Sequence, residues 1–415
     1  MFKLKVLFFH FITVHFVIRG KSQTCEVNSR KYSGKPMALV YFDPDDQFEM
    51  HKTPVEALER VGYQVTLKAS KEKLLGGWQP VEYVEVADEG FDFIWEPRSV
   101  THQTQDIAQR IRKFPFIEAV PYKGRLAELN LDGHMKSFLL PQQRKELEQY
   151  VKDHPNPYWI VKNPYHHKIN IVELKELAAA TRFTSPPKKG SQRDEMWTSL
   201  LVQEFLENPF LIDDHKIDYS IFIAITSLFP LRLYASNSYT FVRKAKKPYF
   251  PLDPTDTEKT VVGSGFDGCG PLDMPSLNKY IEKGFSIKQS FIKVLEENGH
   301  DGNQVYENTY KVLVELFEKY LSKNQEKFKT IYKEKLVIDG ISPYFELSRA
   351  DFLLKQGKDG NVTPWLLEIN RWPDTPVMEG PDPYGQLLRR IFRNLLDLLG
   401  ATSQTREPQF FSSHL

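Results

Sequence analysis

Two apolar segments joined by a tight turn near the C-terminal end constrain the fold more than any other feature of the chain. Residues 350–354 and 363–370 each carry the apolar run of a buried strand. Lys358-Asp359-Gly360 lies between them, and an Asp-Gly pair between two such runs is a strong signal for a β-hairpin. The sequence therefore predicts a hairpin at this position.

Three polar side chains interrupt this apolar hairpin. Glu368 and Asn370 are two residues apart on one strand, so both side chains leave the same face of the sheet. Asp351 lies on the partner strand across the turn. Carboxylate and amide oxygens are the hard ligands that magnesium prefers, and a buried carboxylate is costly unless it is paired or bound to a metal. The pattern indicates a magnesium site; the alternative is an exposed polar face at a strand end.

The N-terminal part of the chain alternates between strand and helix patterns. Residues 38–42, 63–67 and 91–96 have the composition of strands, and residues 53–61 have the pattern of a helix with a threonine cap. Strands that alternate with helices are typical of α/β units. This alternation predicts a small α/β domain over residues 37–125.

The first 21 residues differ from the rest of the chain. Residues 6–18 form an apolar run flanked by two basic residues on each side. A membrane-spanning helix needs about 20 apolar residues, so this run suits a signal segment better. Residues 1–21 are predicted to be a cleaved signal peptide, a signal anchor that contacts the membrane through residues 6–18, or a buried helix. Residues 22–36 are polar and are predicted to be a linker.

Charge and cysteine content argue against several function classes. The formal net charge is +1, whereas a general nucleic-acid-binding protein shows a basic excess. Cys25 and Cys269 are the two cysteines and do not form a Cys-x-x-Cys pair, so thiol redox chemistry and structural zinc are not expected. The basic stretch over residues 243–247 is a candidate for binding an acidic partner, with a solvated loop as the alternative.

Several charged residues lie on or beside predicted strands. Lys162 ends an apolar strand and is placed to meet phosphate, although a lysine that extends to solvent is the plainer interpretation. Lys216 and Asp218 share a strand face, where they form an ion pair or touch a nucleotide. Arg232 lies in the next predicted hairpin, where a guanidinium suits a carboxylate, a phosphate or a cross-strand pair.

Taken together, these segments resemble the tubulin–tyrosine ligase-like proteins in order and spacing. The resemblance covers roughly residues 110–400, and its last segment, Pro364-Trp-Leu-Leu-Glu-Ile-Asn370, is the most specific. The other segments that carry it are residues 158–162, 201–218, 230–234 and 345–354.

The resemblance implies an ATP-grasp fold of class α+β, in which two lobes hold ATP between their sheets. ATP and Mg²⁺ are the implied cofactors. A central lobe over residues 126–195 and a C-terminal lobe with the metal hairpin over residues 196–400 are expected. A disordered tail is predicted over residues 401–415.

The resemblance also implies roles for individual residues. Asp351, Glu368 and Asn370 would hold magnesium. Arg232 and Lys216 would be catalytic, with Arg232 placing the acceptor or the incoming amino acid. Contacts with the nucleotide are implied for Lys136, Lys162, Lys168, Gln203, Glu204, Phe205, Leu206, Lys216 and Asp218.

The sequence departs from the family pattern at two places. The family's Lys-Phe-Asp-Leu-Arg stretch is Lys216-Ile-Asp-Tyr-Ser220 here, so a serine replaces an arginine. The nucleotide loop ends without glycine, with Lys168 as its basic residue, and backbone amides approach phosphate less freely there. Restoring the cation with Ser220→Arg is therefore expected to raise turnover.

The implied function is ATP-dependent addition of an amino acid, with glutamate as the first candidate, to an acidic protein tail such as that of tubulin. The reaction would pass through an acylphosphate. Two alternatives remain open: a nucleotide-binding pseudoenzyme of the same fold, and a small-molecule ligase of the secretory pathway. The expected location is correspondingly either membrane-anchored or secretory, from the N-terminal segment, or the cytoplasm and microtubule cytoskeleton. The sequence does not identify the amino acid added.

Overall fold

The computed structural model describes the greater part of residues 37–399 and a short segment near the C-terminus. The described ranges are 37–42, 49–69, 71–74, 77–80, 93–95, 110–112, 123–162, 169–182, 200–228, 230–262, 270–326, 328, 344–370, 383–399 and 411–413. The strands are β1 (Met37–Phe42), β2 (Gln64–Ala69), β3 (Lys71–Leu74), β4 (Gly77–Pro80), β5 (Phe93–Trp95), β6 (Arg110–Arg112), β7 (Ser137–Leu140), β8 (Tyr158–Lys162), β9 (Ile169–Glu173), β10 (Leu200–Glu204), β11 (Leu211–Ile212), β12 (His215–Leu228), β13 (Leu231–Lys244), β14 (Tyr344–Gln356), β15 (Val362–Asn370) and β16 (Phe411–Ser413). The helices are α1 (Glu49–Arg60), α2 (Lys123–Leu129), α3 (Arg144–Asp153), α4 (Leu174–Ala180), α5 (Thr257–Thr260), α6 (Pro275–Ile281), α7 (Ile287–Glu297), α8 (Gly302–Lys323) and α9 (Pro383–Leu398).

A ten-stranded sheet runs through most of these ranges. Its path is β16-β13-β12-β14-β6-β5-β1-β2, with β11 paired to β12 and β15 paired to β14. The long strands β12 and β13 are antiparallel, whereas β1, β2, β5 and β6 pair in parallel, and β6 joins β14 in parallel. The strands of the predicted N-terminal α/β domain, residues 37–125, therefore continue the same sheet as the rest of the chain. Its boundary stays a prediction.

Helices cover one face of this large sheet. Ile217, Tyr219 and Ile221 of β12 alternate with the residues between them, and all three are fully buried. The phenol oxygen of Tyr219 lies 2.7 Å from Oγ1 of Thr309 on α8, and the Tyr219 ring lies 5.6 Å from that of Phe352 on β14. The contact with Thr309 fixes α8 to the sheet, so Lys216, Asp218 and Ser220, which alternate with these residues, face the opposite side.

A second sheet has four antiparallel strands in the order β7-β10-β8-β9. Phe138, Trp159 and Val202 form its core with residues of α3 and α4. Strand β10 pairs with β7 and β8, so it belongs with the predicted central lobe and not with the predicted C-terminal lobe that begins at residue 196. A bridge between His134 and Leu366 connects the segment before β7 to the large sheet.

The predicted disordered tail, residues 401–415, contains a strand. β16 pairs with the edge strand β13, with Phe411 opposite Ser236 and Ser413 opposite Tyr234. The expectation of disorder is therefore wrong for these three residues. The predicted signal segment and linker, residues 1–36, lie outside the described ranges. Within those ranges, no helix has the length and apolar character needed to cross a membrane.

Candidate functional site

A buried ion pair lies on the face of the large sheet opposite Tyr219 and α8. Asp218 on β12 lies opposite Arg243 on β13. Arg243 donates from Nε to Oδ1 of Asp218 at 2.9 Å and from a terminal nitrogen to Oδ2 at 2.6 Å. The same terminal nitrogen reaches Oδ2 of Asp351 at 3.4 Å. One guanidinium thus joins carboxylates from two neighbouring strands.

Burial and charge act in opposite directions on this pair. Burial raises the pKa of the Asp218 carboxyl, and the guanidinium of Arg243 offsets only part of that rise. Burial alone would lower the pKa of Arg243, but the carboxylates of Asp218 and Asp351 outweigh it, so the pKa lies above its ordinary value. Arg243 therefore remains charged, and its charge is what makes a buried Asp218 carboxylate tolerable.

The predicted magnesium residues converge on the hairpin of β14 and β15. Asp351 and Glu368 lie directly opposite each other. The Asn370 side-chain nitrogen is 2.8 Å from Oδ2 of Asp351 and 3.1 Å from Oε1 of Glu368. The orientation of such an amide is inferred from its hydrogen bonds, and a half-turn would present its oxygen to the same place.

The side chains of Asp351, Glu368 and Asn370 have the chemistry that suits Mg²⁺, because proteins usually bind this ion through the oxygens of one or two carboxylates. Within the described ranges no three His, Cys, Asp or Glu side chains gather as a metal centre, so the set depends on the Asn370 amide. Both carboxylates are already paired with cations. Lys123 Nζ lies 2.9 Å from Oε2 of Glu368, and Arg349 donates to both oxygens of Asp351.

Lys162 extends from the small sheet toward this hairpin. Its Nζ donates to Oε1 of Gln203 at 2.9 Å, and Nε2 of Gln203 donates to Ser137 Oγ at 2.8 Å. Burial, together with the nearby charge of Lys123, lowers the pKa of Lys162 to about 7, while Glu368 acts to raise it. Because the charges of Lys123 and Glu368 both act on Lys162, charged groups of the small sheet and of the hairpin lie near one another. The region between the two sheets at these residues is called the cleft below.

Lys216 lies on β12 close to the predicted adenine segment. Its Nζ donates to the carbonyl oxygen of Thr260 at 2.8 Å and lies 5.1 Å from the centre of the Phe205 ring. Burial lowers the pKa of Lys216 to about 8, against the raising effect of Asp218. Lys216 is thus a poorly solvated cation, and a ligand phosphate would compete with a single backbone carbonyl for it.

The segment Gln203–Leu206 supplies both polar and apolar groups to the cleft. Gln203 uses its side chain to hold Lys162, whereas Glu204 accepts a hydrogen bond from Tyr150 at 3.1 Å. Leu206 forms an apolar cluster with two buried residues, and two further side chains flank it. The cluster comprises Met135, Leu206 and Leu353, with Trp365 and Leu367 beside it.

Two of the remaining sequence candidates lie in different surroundings. Lys136 is half-buried, donates to Oδ1 of Asn130 at 3.1 Å and lies 5.6 Å from the centre of the Phe138 ring. Lys168 lies outside the described ranges, so the structure does not place it.

The structure does not bring Arg232 to the cluster. Arg232 is exposed and pairs with Ser227, next to the turn between β12 and β13. Ser227 is nine positions from Asp218 along β12, which corresponds to roughly 30 Å at 3.3 Å per residue. The expectation that Arg232 acts in the same site as Asp218 disagrees with this placement. Arg243 is the arginine that the fold delivers there.

Three cations of the site were not singled out as site residues by the sequence. Arg349 could have been found, since it lies two positions before Asp351 and shares its strand face. Lys123 carried no local signal. The sequence pattern groups Arg243 with the basic stretch 243–247, whereas the structure buries its side chain in the site.

The remainder of that basic stretch is largely paired within the chain. Lys244 donates to the carbonyl oxygen of Asp273 at 2.8 Å. Lys247 bonds to Asp256 at 3.0 Å and to Glu258 at 2.8 Å. The stretch is therefore a poor docking site for an acidic partner.

Comparison with known proteins identifies the family of the chain. The sequence model of the Tubulin-tyrosine ligase family matches residues 101–408, about three quarters of the chain. The chain belongs to this family, as its sequence motifs predicted, and the site described above lies within the matched region.

Named relatives are ligases of the predicted kind. "Probable tubulin polyglutamylase ttll-15" of Caenorhabditis elegans is 26% identical over 384 residues, covering 91% of this chain and 68% of the worm protein. "Tubulin polyglutamylase TTLL7" of Mus musculus is 27% identical over 350 residues, covering 77% and 35%. "Tubulin monoglutamylase TTLL4" of the same species is 24% identical over 303 residues, covering 70% and 22%. The chain thus spans about a third or less of either mouse protein.

Proposed function

We propose that this chain is an ATP-dependent ligase that joins glutamate to a carboxylate of an acidic protein tail, with tubulin as the acceptor. One observation carries the proposal: the side chains of Asp351, Glu368 and Asn370 converge on one hairpin, and Lys162 of the small sheet lies near enough to Glu368 to be influenced by its charge. Oxygen donors suit magnesium, and a poorly solvated lysine suits phosphate. The printed names of the relatives support glutamate as the donor amino acid and tubulin as the acceptor.

Each part of the cleft takes one part of the substrates in this proposal. The apolar cluster around Leu206 holds the adenine ring, and Lys162 and Lys216 meet the phosphates. Asp351, Glu368 and Asn370 hold magnesium, which when bound offsets charge on the phosphoryl oxygens. Arg243, in place of Arg232, is the arginine beside the reacting groups.

The reaction then has two steps. An oxygen of the acceptor carboxylate attacks the γ-phosphorus of ATP and ADP leaves, which gives an acylphosphate. The amine of glutamate attacks the acyl carbon, phosphate leaves and an amide bond forms. The lysines stabilise the negative charge that develops on the phosphoryl oxygens. Tubulin as acceptor requires the site to face the cytoplasm, so the proposal favours the microtubule alternative.

The test is incorporation of labelled glutamate into tubulin by the full chain with Mg²⁺ and ATP. Tubulin from which the acidic tails have been removed by proteolysis serves as the negative acceptor, and labelled tyrosine and glycine serve as rival donors. Glu368→Gln should lower incorporation strongly, whereas Glu318→Gln, a matched change at an exposed position of α8, should not. Equal incorporation of glutamate by the two variants would contradict the assignment of Glu368 as a magnesium ligand.

A nucleotide-binding pseudoenzyme is the second candidate. It is favoured by the buried Ser220, which brings no charge to the site, and by the contacts of Arg349 with both oxygens of Asp351. Binding of ATP that depends on Mg²⁺, without incorporation of any labelled amino acid into any acceptor, would support this candidate and reject ligation.

A further inference from the structure

Ser220 is an uncharged residue among the charged side chains of the site. It lies on β12 directly opposite Asp351 and is fully buried. In the described part of the chain its Oγ has no hydrogen-bond partner. A serine therefore occupies the position beside the Asp351 carboxylate without contributing a charge or a hydrogen bond to it.

A different residue binds that carboxylate. Arg349 donates from Nε to Oδ1 of Asp351 at 2.8 Å and from a terminal nitrogen to Oδ2 at 3.0 Å. This is a two-pronged contact, which fixes the plane of a carboxylate as well as its position. The Arg349 side chain is only 12% exposed, so the contact is weakly screened by solvent.

Positions 220 and 349 are neighbours across two strands. Asp351 pairs with Ser220 and Arg349 pairs with Phe222, so Arg349 is the diagonal neighbour of Ser220. Diagonal neighbours in an antiparallel pair are roughly 7 to 8 Å apart. Asp351 lies directly opposite Ser220 and two positions after Arg349, so an arginine side chain from either position can reach its carboxylate. The two positions are thus equivalent sources of a guanidinium for Asp351.

We propose that Arg349 supplies the guanidinium that Ser220 lacks, and that it acts as a positioning residue which holds Asp351 in line with Glu368 and Asn370. The effect on ligation rests on the proposed function; the effect on Asp351 does not. Asp351 already accepts hydrogen bonds from Arg349 and a longer one from Arg243, so a further guanidinium at position 220 competes with Arg349 for one buried carboxylate. Ser220→Arg alone therefore lowers turnover, which reverses the expectation drawn from the sequence.

The experiment compares the wild type with Arg349→Ala, Ser220→Arg and the double variant Ser220→Arg/Arg349→Ala. Two quantities are measured. The first is the Mg²⁺ midpoint, which is the Mg²⁺ concentration that gives half of the ATP-induced thermal stabilisation. The second is kcat for glutamate incorporation. Loss of a group that orients a metal ligand typically weakens metal binding or activity by roughly 10- to 100-fold. Each single variant should show a loss in that range, and the double variant should recover to within about threefold of the wild type. Arg60→Ala, an exposed arginine of α1, is the control.

The result that overturns the proposal is a double variant no better than both single variants, or Arg349→Ala with an unchanged Mg²⁺ midpoint. A midpoint that moves to lower Mg²⁺ would show that Arg349 competes with the metal, which also overturns it. If Arg349→Ala does not fold, Arg349→Lys is used to test the proposal. Lysine keeps the positive charge but cannot form the two-pronged contact with Asp351. A raised midpoint in that variant supports the proposal and an unchanged one rejects it. If none of the tested proteins incorporates glutamate, but the Mg²⁺ midpoint rises in each single variant and recovers in the double variant, the proposed function fails and the inference stands.

Discussion

Removing the guanidinium of Arg243 should destabilise the fold in a pH-dependent way. Arg243→Ala deletes both hydrogen bonds to Asp218 and the longer contact with Asp351. Both members of the main pair are nearly inaccessible, with side chains 10% and 5% exposed. Removing one partner of a buried ion pair generally costs about 3–5 kcal/mol, since the other charge stays buried without compensation. We expect a loss of that size at neutral pH.

The sign of the pH effect follows from Asp218. Its pKa in the folded protein is already raised by burial, and loss of Arg243 raises it further. Above the ordinary aspartate pKa of about 3.9, the folded variant then binds more protons than the unfolded chain. The free energy of unfolding of the variant therefore falls as the pH rises from that value through the raised pKa, and levels off above it.

Urea unfolding, followed by tryptophan fluorescence at mildly acidic and mildly alkaline pH, tests this reasoning. Arg243→Ala/Asp218→Asn removes the uncompensated charge and should recover a large part of the loss. Lys246→Ala changes an exposed cation three positions away and should remain within about 0.5 kcal/mol of the wild type. A loss below about 1 kcal/mol, or one equal at both pH values, would refute the ion-pair argument.

Three further outcomes follow from the described contacts. Lys162, with its pKa lowered to about 7 by burial and nearby Lys123, should lose its proton as the pH rises through neutrality. Calorimetric ATP affinity should then fall over that range in the wild type, and Lys162→Met should flatten the dependence. Gln203→Leu removes the acceptor that holds Lys162, so ATP affinity should drop about tenfold, and no drop would contradict that role. Gly302→Ala would place a Cβ 2.9 Å from the Ile292 Cα, so urea unfolding should show a loss of about 1–3 kcal/mol, and a gain would mean that α7 and α8 separate easily.

Local patterns were sufficient to predict the hairpin that carries the carboxylates. The Asp-Gly turn is observed, with Gly360 in the left-handed region at a φ of +81°. Because that turn is short, it fixes the register of β14 against β15 within a few residues. Counting back from the turn predicts the observed pairs as far as Phe352 with Leu366, and would place Leu367 opposite Asp351. A register irregularity between Asp351 and Phe352 places Glu368 there instead. The two-residue spacing of Glu368 and Asn370 then places Asn370 beside them.

Longer pairings could not be predicted in the same way. Counting back from the turn between β12 and β13 would place Phe241 opposite Asp218, and the observed partner is Arg243. Two irregularities, between Ile221 and Ile223 and between Ile225 and Ser227, shift the register. Such bulges depend on contacts with the rest of the sheet and leave no clear mark in the sequence. The sequence therefore does not predict that Arg243 pairs with Asp218.

Contacts between distant parts of the chain were also beyond the sequence. The ion pair between Lys123 and Glu368 joins residues on either side of the predicted central lobe. The parallel pairing of β6 with β14 brings Ile111 next to Tyr344 and merges the N-terminal strands with the large sheet. Neither contact has a periodic pattern or a turn that would indicate it, because both form only after the intervening chain has folded.

The short strand β16 has a practical consequence for handling the protein. It covers the backbone of Tyr234 to Ser236 on β13, which is otherwise an edge of the large sheet. Uncovered strand edges recruit other chains and promote aggregation. Deleting residues 411–413 to obtain a shorter expression product should therefore lower the soluble yield. An affinity tag is better separated from this strand by a flexible spacer than fused directly to it.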